Sequence, residues 1–192
     1  MKQMRLVVAC ALAVMTVAPV EAQVQEIVLH NFTTETGSYP AAGVTLAPNG
    51  VYGTTQAGGT ANQGVVYKWD TTYQYYKVLH NFTGGADGTV PLSGVTRDSD
   101  GNLYGTTVNG GTADDGVVYK LDSAGNYMVL YNFTGVDGGY PSAGVIRDSA
   151  GNLHGTTTEG GTADDGVVYK LDAAGNYTVL YNFTGGPTVV NR

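Results

Sequence analysis

One unit of sequence, about 50 residues long, recurs along this chain and constrains everything else about it. Asn-Phe-Thr begins at Asn31, Asn81, Asn132 and Asn182, Gly-Thr-Thr at Gly53, Gly105 and Gly155, and prolines return at Pro40, Pro91 and Pro141. Gly101 to Gly135 and Gly151 to Gly185 differ at five positions only. A unit this short cannot bury its apolar surface alone. It does so against its neighbours, and a period in this range suits propeller blades.

Residues 135 to 183 can be read as one such unit. Gly135 to Ser142 is a glycine-rich loop, and Ala143 to Arg147 a short strand. Asp148 to Asn152 is a tight turn, in which Asp accepts backbone hydrogen bonds and Gly151 takes positive φ. Leu153 to Thr157 returns as a second strand, and the loop Glu159 to Asp165 leads to a third, Gly166 to Leu171. A turn of the same chemistry, Asp172 to Asn176, opens the fourth strand, Tyr177 to Phe183. Strict alternation would put Tyr177, Val179, Tyr181 and Phe183 on one face, and Thr178, Leu180 and Asn182 on the other. Both faces are partly apolar, as in sheets stacked between neighbours. The 29 glycines, 14 tyrosines and low charge suit tight turns and strands, and no segment after residue 22 has helical periodicity. The expected fold is all-β: a β-propeller-like array of four-stranded antiparallel blades. It has about three repeats plus one extra strand, Ile27 to Phe32, a copy of the last strand of a unit. Closed propellers use four to eight blades, so the array is expected to be open or partial.

The start of the chain is of another kind. Lys2 and Arg5 precede an apolar run, Leu6 to Val17, interrupted only by Thr16; Pro19 and Val20-Glu21-Ala22 follow. This is the pattern of a secretory signal peptide cut after Ala22. The expected organisation is signal peptide 1–22, three tandem repeats 23–186 and a tail 187–192. The single cysteine, Cys10, lies in the apolar run, so the processed chain has no disulfide or thiol chemistry. A net charge of −7 argues against nucleic acid and anionic membrane as partners.

The phrases GNLYGTT (Gly101 to Thr107), GGTADDGVVYKLD (Gly110 to Asp122) and VLYNFTG (Val129 to Gly135) stand, in these words or in close variants, once per unit. In wording and spacing they resemble the GloVer tandem repeats of secreted bacterial proteins. The resemblance runs from about Glu26 to Gly186. It implies an extracellular, propeller-like protein, and it brings no catalytic or binding residues with it.

Several residue groups invite a functional reading. The doublets Asp114-Asp115 and Asp164-Asp165 lie in glycine-rich loops where carboxylates could hold calcium. Their spacing fits no standard calcium loop, and the first unit has Asn62-Gln63 there. Asp98 to Asn102 starts like a calcium loop but lacks its distal acid, and a hairpin turn accounts for it. The Asn-Phe-Thr sites match a glycosylation pattern but read more simply as strand residues. His30 and His80 stand where Tyr131 and Tyr181 do, and His154 where Tyr104 does. No nucleophile elbow or phosphate loop is present. Residues copied into every unit serve what every blade needs, whereas catalysis needs different groups around one substrate. No catalytic, cofactor-binding or metal residues are therefore expected, and no cofactor.

The expected function is a secreted, non-catalytic scaffold or binding module at the bacterial cell surface, extracellular or periplasmic. Its partners would be a surface polysaccharide or protein, with no membrane contact after signal cleavage, and copies of itself. The alternatives are a carbohydrate-active propeller enzyme, for which paired aspartates across blades would be the sign, and a fragment of a longer repeat protein. Variation between units concentrates in residues 34–40, 84–91 and 135–141 and at 56–57, 108–109 and 158–159. If these share a rim, that rim is the expected contact surface.

Overall fold

Each repeat becomes one four-stranded antiparallel sheet with its strands in chain order. The computed structural model describes residues 26–185. The first sheet holds β1 (Thr45–Ala47), β2 (Gly50–Thr55), β3 (Val65–Asp70) and β4 (Tyr75–Asn81). The second holds β5 (Thr96–Arg97), β6 (Leu103–Thr107), β7 (Val117–Leu121) and β8 (Tyr127–Asn132), and the third β9 (Ile146–Arg147), β10 (Leu153–Thr156), β11 (Val167–Leu171) and β12 (Tyr177–Asn182). The expected signal peptide 1–22 and tail 187–192 lie outside the described residues.

The turns form as their chemistry dictates. Between β7 and β8, Asp122 Oδ1 accepts the N–H groups of Ala124 (3.0 Å) and Asn126 (2.8 Å), and the Asn126 amide donates to Oδ2 at 2.8 Å. Gly125 takes φ +95°, and Gly101, Gly151 and Gly175 take +89°, +89° and +90° in the sister turns. The glycine of Gly-Thr-Thr has a different task. Gly53, Gly105 and Gly155 sit across the ladder from Tyr67, Tyr119 and Tyr169. A Cβ on Gly105 would lie 2.5 Å from the Tyr119 hydroxyl oxygen, so the bare glycine lets the ring lie over the sheet.

The cores lie between sheets. One joins Tyr52, Val66 and Phe82 of the first repeat to Val95, Leu103, Val117, Tyr119 and Leu121 of the second. The next joins Tyr104, Val118 and Phe133 to Val145, Leu153, Val167, Tyr169 and Leu171. Each fully buried side chain of this size contributes on the order of 1.5–3 kcal/mol. Threonines fasten the seams. Thr54 and Thr106 donate to the carbonyls of Ser93 (2.7 Å) and Ala143 (3.0 Å), and Thr45 and Thr96 to those of Val95 and Val145. Among the described residues no such core joins the third sheet to the first, so the array is open.

Two expectations need correction. β8 and β12 do not alternate strictly, because the register slips between Val118 and Tyr119, and between Val168 and Tyr169. The bulge leaves Leu130 or Leu180 without a partner and turns the strand over. Tyr127 and Val129 therefore pack on the preceding repeat, and Leu130, Tyr131 and Phe133 on the following one. Tyr177 and Val179 likewise lie against the second sheet, whereas Tyr181 and Phe183 are exposed, so these four residues do not share a face. Nor is Ile27 to Phe32 an extra strand. Among the described residues it has no neighbouring strand to complete a ladder. Only its side-chain packing survives: His30 stacks on Tyr76 at 3.8 Å, and Phe32 meets Tyr67 edge-on at 5.2 Å.

Candidate binding surface

The hairpin topology sends the long loops to one rim and the Asp turns to the other. On the long-loop rim the variable segments do meet. Ser38 bridges Ala57, Thr89 bridges Asn109, and Gly139 bridges Glu159. The acidic doublets stand here, and their two members have separate tasks. Asp114 and Asp164 take φ +64° and +60°, and their Oδ1 atoms accept the N–H groups of Gly110 (2.8 Å) and Gly160 (2.9 Å). Asn62 does the same for Gly58 at 3.0 Å, which explains why amide and acid interchange. Asp115 instead faces the next repeat, its carbonyl accepting the Tyr140 N–H at 2.9 Å. The Asp115 charge raises the Tyr140 pKa above its ordinary value. Among the described residues no three His, Cys, Asp or Glu side chains gather as a metal site would require.

The other residues singled out in the sequence are also explained by local structure. In Asn-Phe-Thr, the Asn81, Asn132 and Asn182 side chains accept the N–H groups of Thr60, Thr112 and Thr162 at 3.0–3.1 Å, closing the β2–β3 loop and its sisters. Phe82 and Phe133 fill the cores, and Thr134 donates its N–H to Asp137 at 3.0 Å. His80 stacks on Tyr127 at 3.9 Å as Tyr131 stacks on Tyr177 at 4.1 Å. Burial holds the His80 pKa below its ordinary value despite the pull of Asp87. His154 meets Asp148 at 3.2 Å, where its counterpart Tyr104 donates to Asp98 at 3.0 Å.

The opposite rim carries an arrangement that whole-chain charge conceals. Between the first two sheets a groove of about 290 Å³ opens beside Lys68, Lys77, Arg97 and the turn Asp122 to Gly125. Its repeat, about 440 Å³, lies between the second and third sheets beside Lys120, Arg147 and the turn Asp172 to Gly175. In each groove a buried tyrosine ring orients two cations. Lys68 and Arg97 stand 5.8 and 5.7 Å from the Tyr52 centroid, and Lys120 and Arg147 stand 5.9 and 5.7 Å from that of Tyr104. Lys68 also pairs with Asp70 at 2.7 Å. Burial opposes its charge, yet the hydrogen bond to Asp70 raises its pKa above the usual lysine value. Lys120, Arg97 and Arg147 form no ion pair among the described residues, and the buried Nε of Arg97 has no hydrogen-bond partner there.

The turn aspartates Asp122 and Asp172 are occupied, whereas the Asp100 carboxylate, beside the first groove, has no partner among the described residues. Hydrogen bonds from Asn126 and Asn176 hold the Asp122 and Asp172 pKa values below the ordinary value. The sequence signal for these grooves is the lysine of Val-Val-Tyr-Lys and the arginine before the turn aspartate. Arg97 and Arg147 have that place, but the first repeat has Leu46 there. A net charge of −7 gave no hint that cations meet between sheets.

No curated protein matches the chain. Among solved structures it is similar to TolB from Acinetobacter baumannii, at 18% identity with a TM-score of 0.47, over 71% of this chain and 30% of that one. The chain thus spans less than a third of that structure's length. The repeat itself is more telling. A model described as the Gloeobacter/Verrucomicrobia repeat matches residues 13–191, which takes in all twelve strands of the described residues. With its three sheets each built from one copy of the unit, the chain belongs to the Gloeobacter/Verrucomicrobia repeat family.

Proposed function

We propose that this protein is a secreted, non-catalytic repeat module that binds an acidic polysaccharide at the cell surface. The observation that carries the reading is the groove that occurs twice, with Lys68 and Arg97 about one tyrosine ring and Lys120 and Arg147 about the next. Two like sites in tandem suit a polymer whose carboxylates recur, because the second contact is then intramolecular. Arginine favours carboxylate through its paired donors. A general acid needs a raised carboxyl pKa. The turn acids Asp98, Asp122, Asp148 and Asp172 are all lowered, which supports a binding role over hydrolysis. The apolar run Leu6 to Val17 supports secretion. Among the described residues no helix is long and apolar enough to cross a membrane.

Affinity electrophoresis through gels containing polygalacturonate or neutral dextran tests the proposal. Polygalacturonate should retard the chain and dextran should not. Arg97→Ala with Arg147→Ala should weaken retention at least about tenfold, and added salt should do the same. Equal mobility in both gels would refute the reading.

A further inference from the structure

The two ends of the array carry the two halves of the junction that the chain uses internally. On the far face of the third sheet, Tyr181 and Phe183 keep the edge-on geometry of Tyr131 and Phe133: 5.1 Å and 79° against 5.3 Å and 79°. Phe133 is fully buried under the third sheet, whereas Phe183 is 41% exposed. On the near face of the first sheet, Val44 is 52% exposed, while its counterparts Val95 and Val145 are 4% and 2% exposed.

The loops match in the same way. Pro91 and Pro141 are buried with their rings against Gly64 and Gly116 of the preceding repeat. Pro40 is exposed, and among the described residues no proline packs on Gly166. Tyr140 takes φ +52°, and its N–H donates to Asp115. Tyr39 takes the same strained conformation, φ +56°, yet its N–H has no backbone acceptor among the described residues. Asp165, the counterpart of Asp115, is exposed at the other end of the array.

We infer that a second copy of this chain docks head to tail, with the third sheet of one protomer on the first sheet of the next. The contacts repeat the internal junction. The Tyr39 N–H donates to the Asp165 carbonyl, Pro40 seats on Gly166, and Tyr181 and Phe183 pack on Tyr67 and Tyr76. That last place is held within one chain by His30 and Phe32. The segment 27–32 is therefore an internal plug that makes no strand ladder, and docking displaces it as in a domain swap. The new seam differs from the internal ones at Ile146, which lacks the hydroxyl of Thr96, and at His154, which replaces Tyr104. A head-to-tail contact closes as a ring of two chains with six sheets if the rotation allows, and otherwise extends.

Sedimentation equilibrium of the secreted chain, without polysaccharide, tests this from micromolar to sub-millimolar concentration. The mass should exceed one chain and rise with concentration. His30→Ala with Phe32→Ala removes the plug and should tighten association at least about tenfold. Tyr181→Ala with Phe183→Ala changes exposed residues, so it leaves folding intact and should return a single-chain mass. A single-chain mass for both the wild type and the plug variant would overturn the inference. So would association that survives Tyr181→Ala with Phe183→Ala.

Discussion

The second and third sheets are nearly the same sequence in two environments. Across 35 residues, Gly101 to Gly135 against Gly151 to Gly185, five positions differ, and both segments fold to the same hairpins and turns. Their far faces nevertheless differ in burial. Phe133 is fully covered and Phe183 is not; Tyr104 is buried and His154 partly open. The difference teaches that secondary structure here is a property of the unit, whereas burial is a property of the neighbour. Stability in such an array is close to a sum of unit and junction terms.

The strongest way to break the comparison is to cut the same residue from both sheets. Phe133→Ala should cost about 3–5 kcal/mol, because it opens a cavity in a full core. In the single chain, at concentrations below those of self-association, Phe183→Ala should cost less than about 1 kcal/mol, since surface changes seldom exceed that. Urea unfolding of the two variants decides it, and equal losses would mean that Phe183 is covered in solution.

Turn glycines should behave oppositely. Gly125→Ala and Gly175→Ala each place a Cβ in open space, so only the backbone conformation is penalised, at φ +95° and +90°. Both should lose about 1 kcal/mol, equally in the two sheets. A clear difference between them in thermal denaturation would show that the turns sense the junctions.

The smallest effect sharpens a contrast between junctions. The first has His80 where the second has Tyr131. Desolvation lowers the His80 pKa in the folded chain, so the unfolded chain takes up the proton first. Its contribution to stability is complete above the ordinary value of 6.5 and is lost as the pH falls below it. Denaturation midpoints from pH 8 to pH 5 should decline less in His80→Tyr than in the wild type. Identical profiles would remove His80 as the cause.

Much of this was legible from local chemistry. The spacing of Asp, Gly and Asn placed the turns, because such a turn depends on its own few residues. The period of about 50 placed the sheets, because a short unit must stack to bury its apolar side chains. The Asp114 and Asp164 loops were readable from Asn62, whose amide can accept the same hydrogen bond. The faces of the fourth strands were not readable, since a bulge is set by how β7 and β11 pair with β8 and β12, and a slip of one residue reverses every side chain after it. The grooves were hidden for a related reason. Lys120 and Arg147 are 27 residues apart and belong to different repeats, and they meet only once two sheets stack. The same holds at Ile27 to Phe32. The sequence by itself determined a strand-forming segment with the right aromatic side chains. Only the tertiary structure decided that it would lie without a ladder, because backbone hydrogen bonds need a partner strand beside them, and among the described residues no sheet precedes the first.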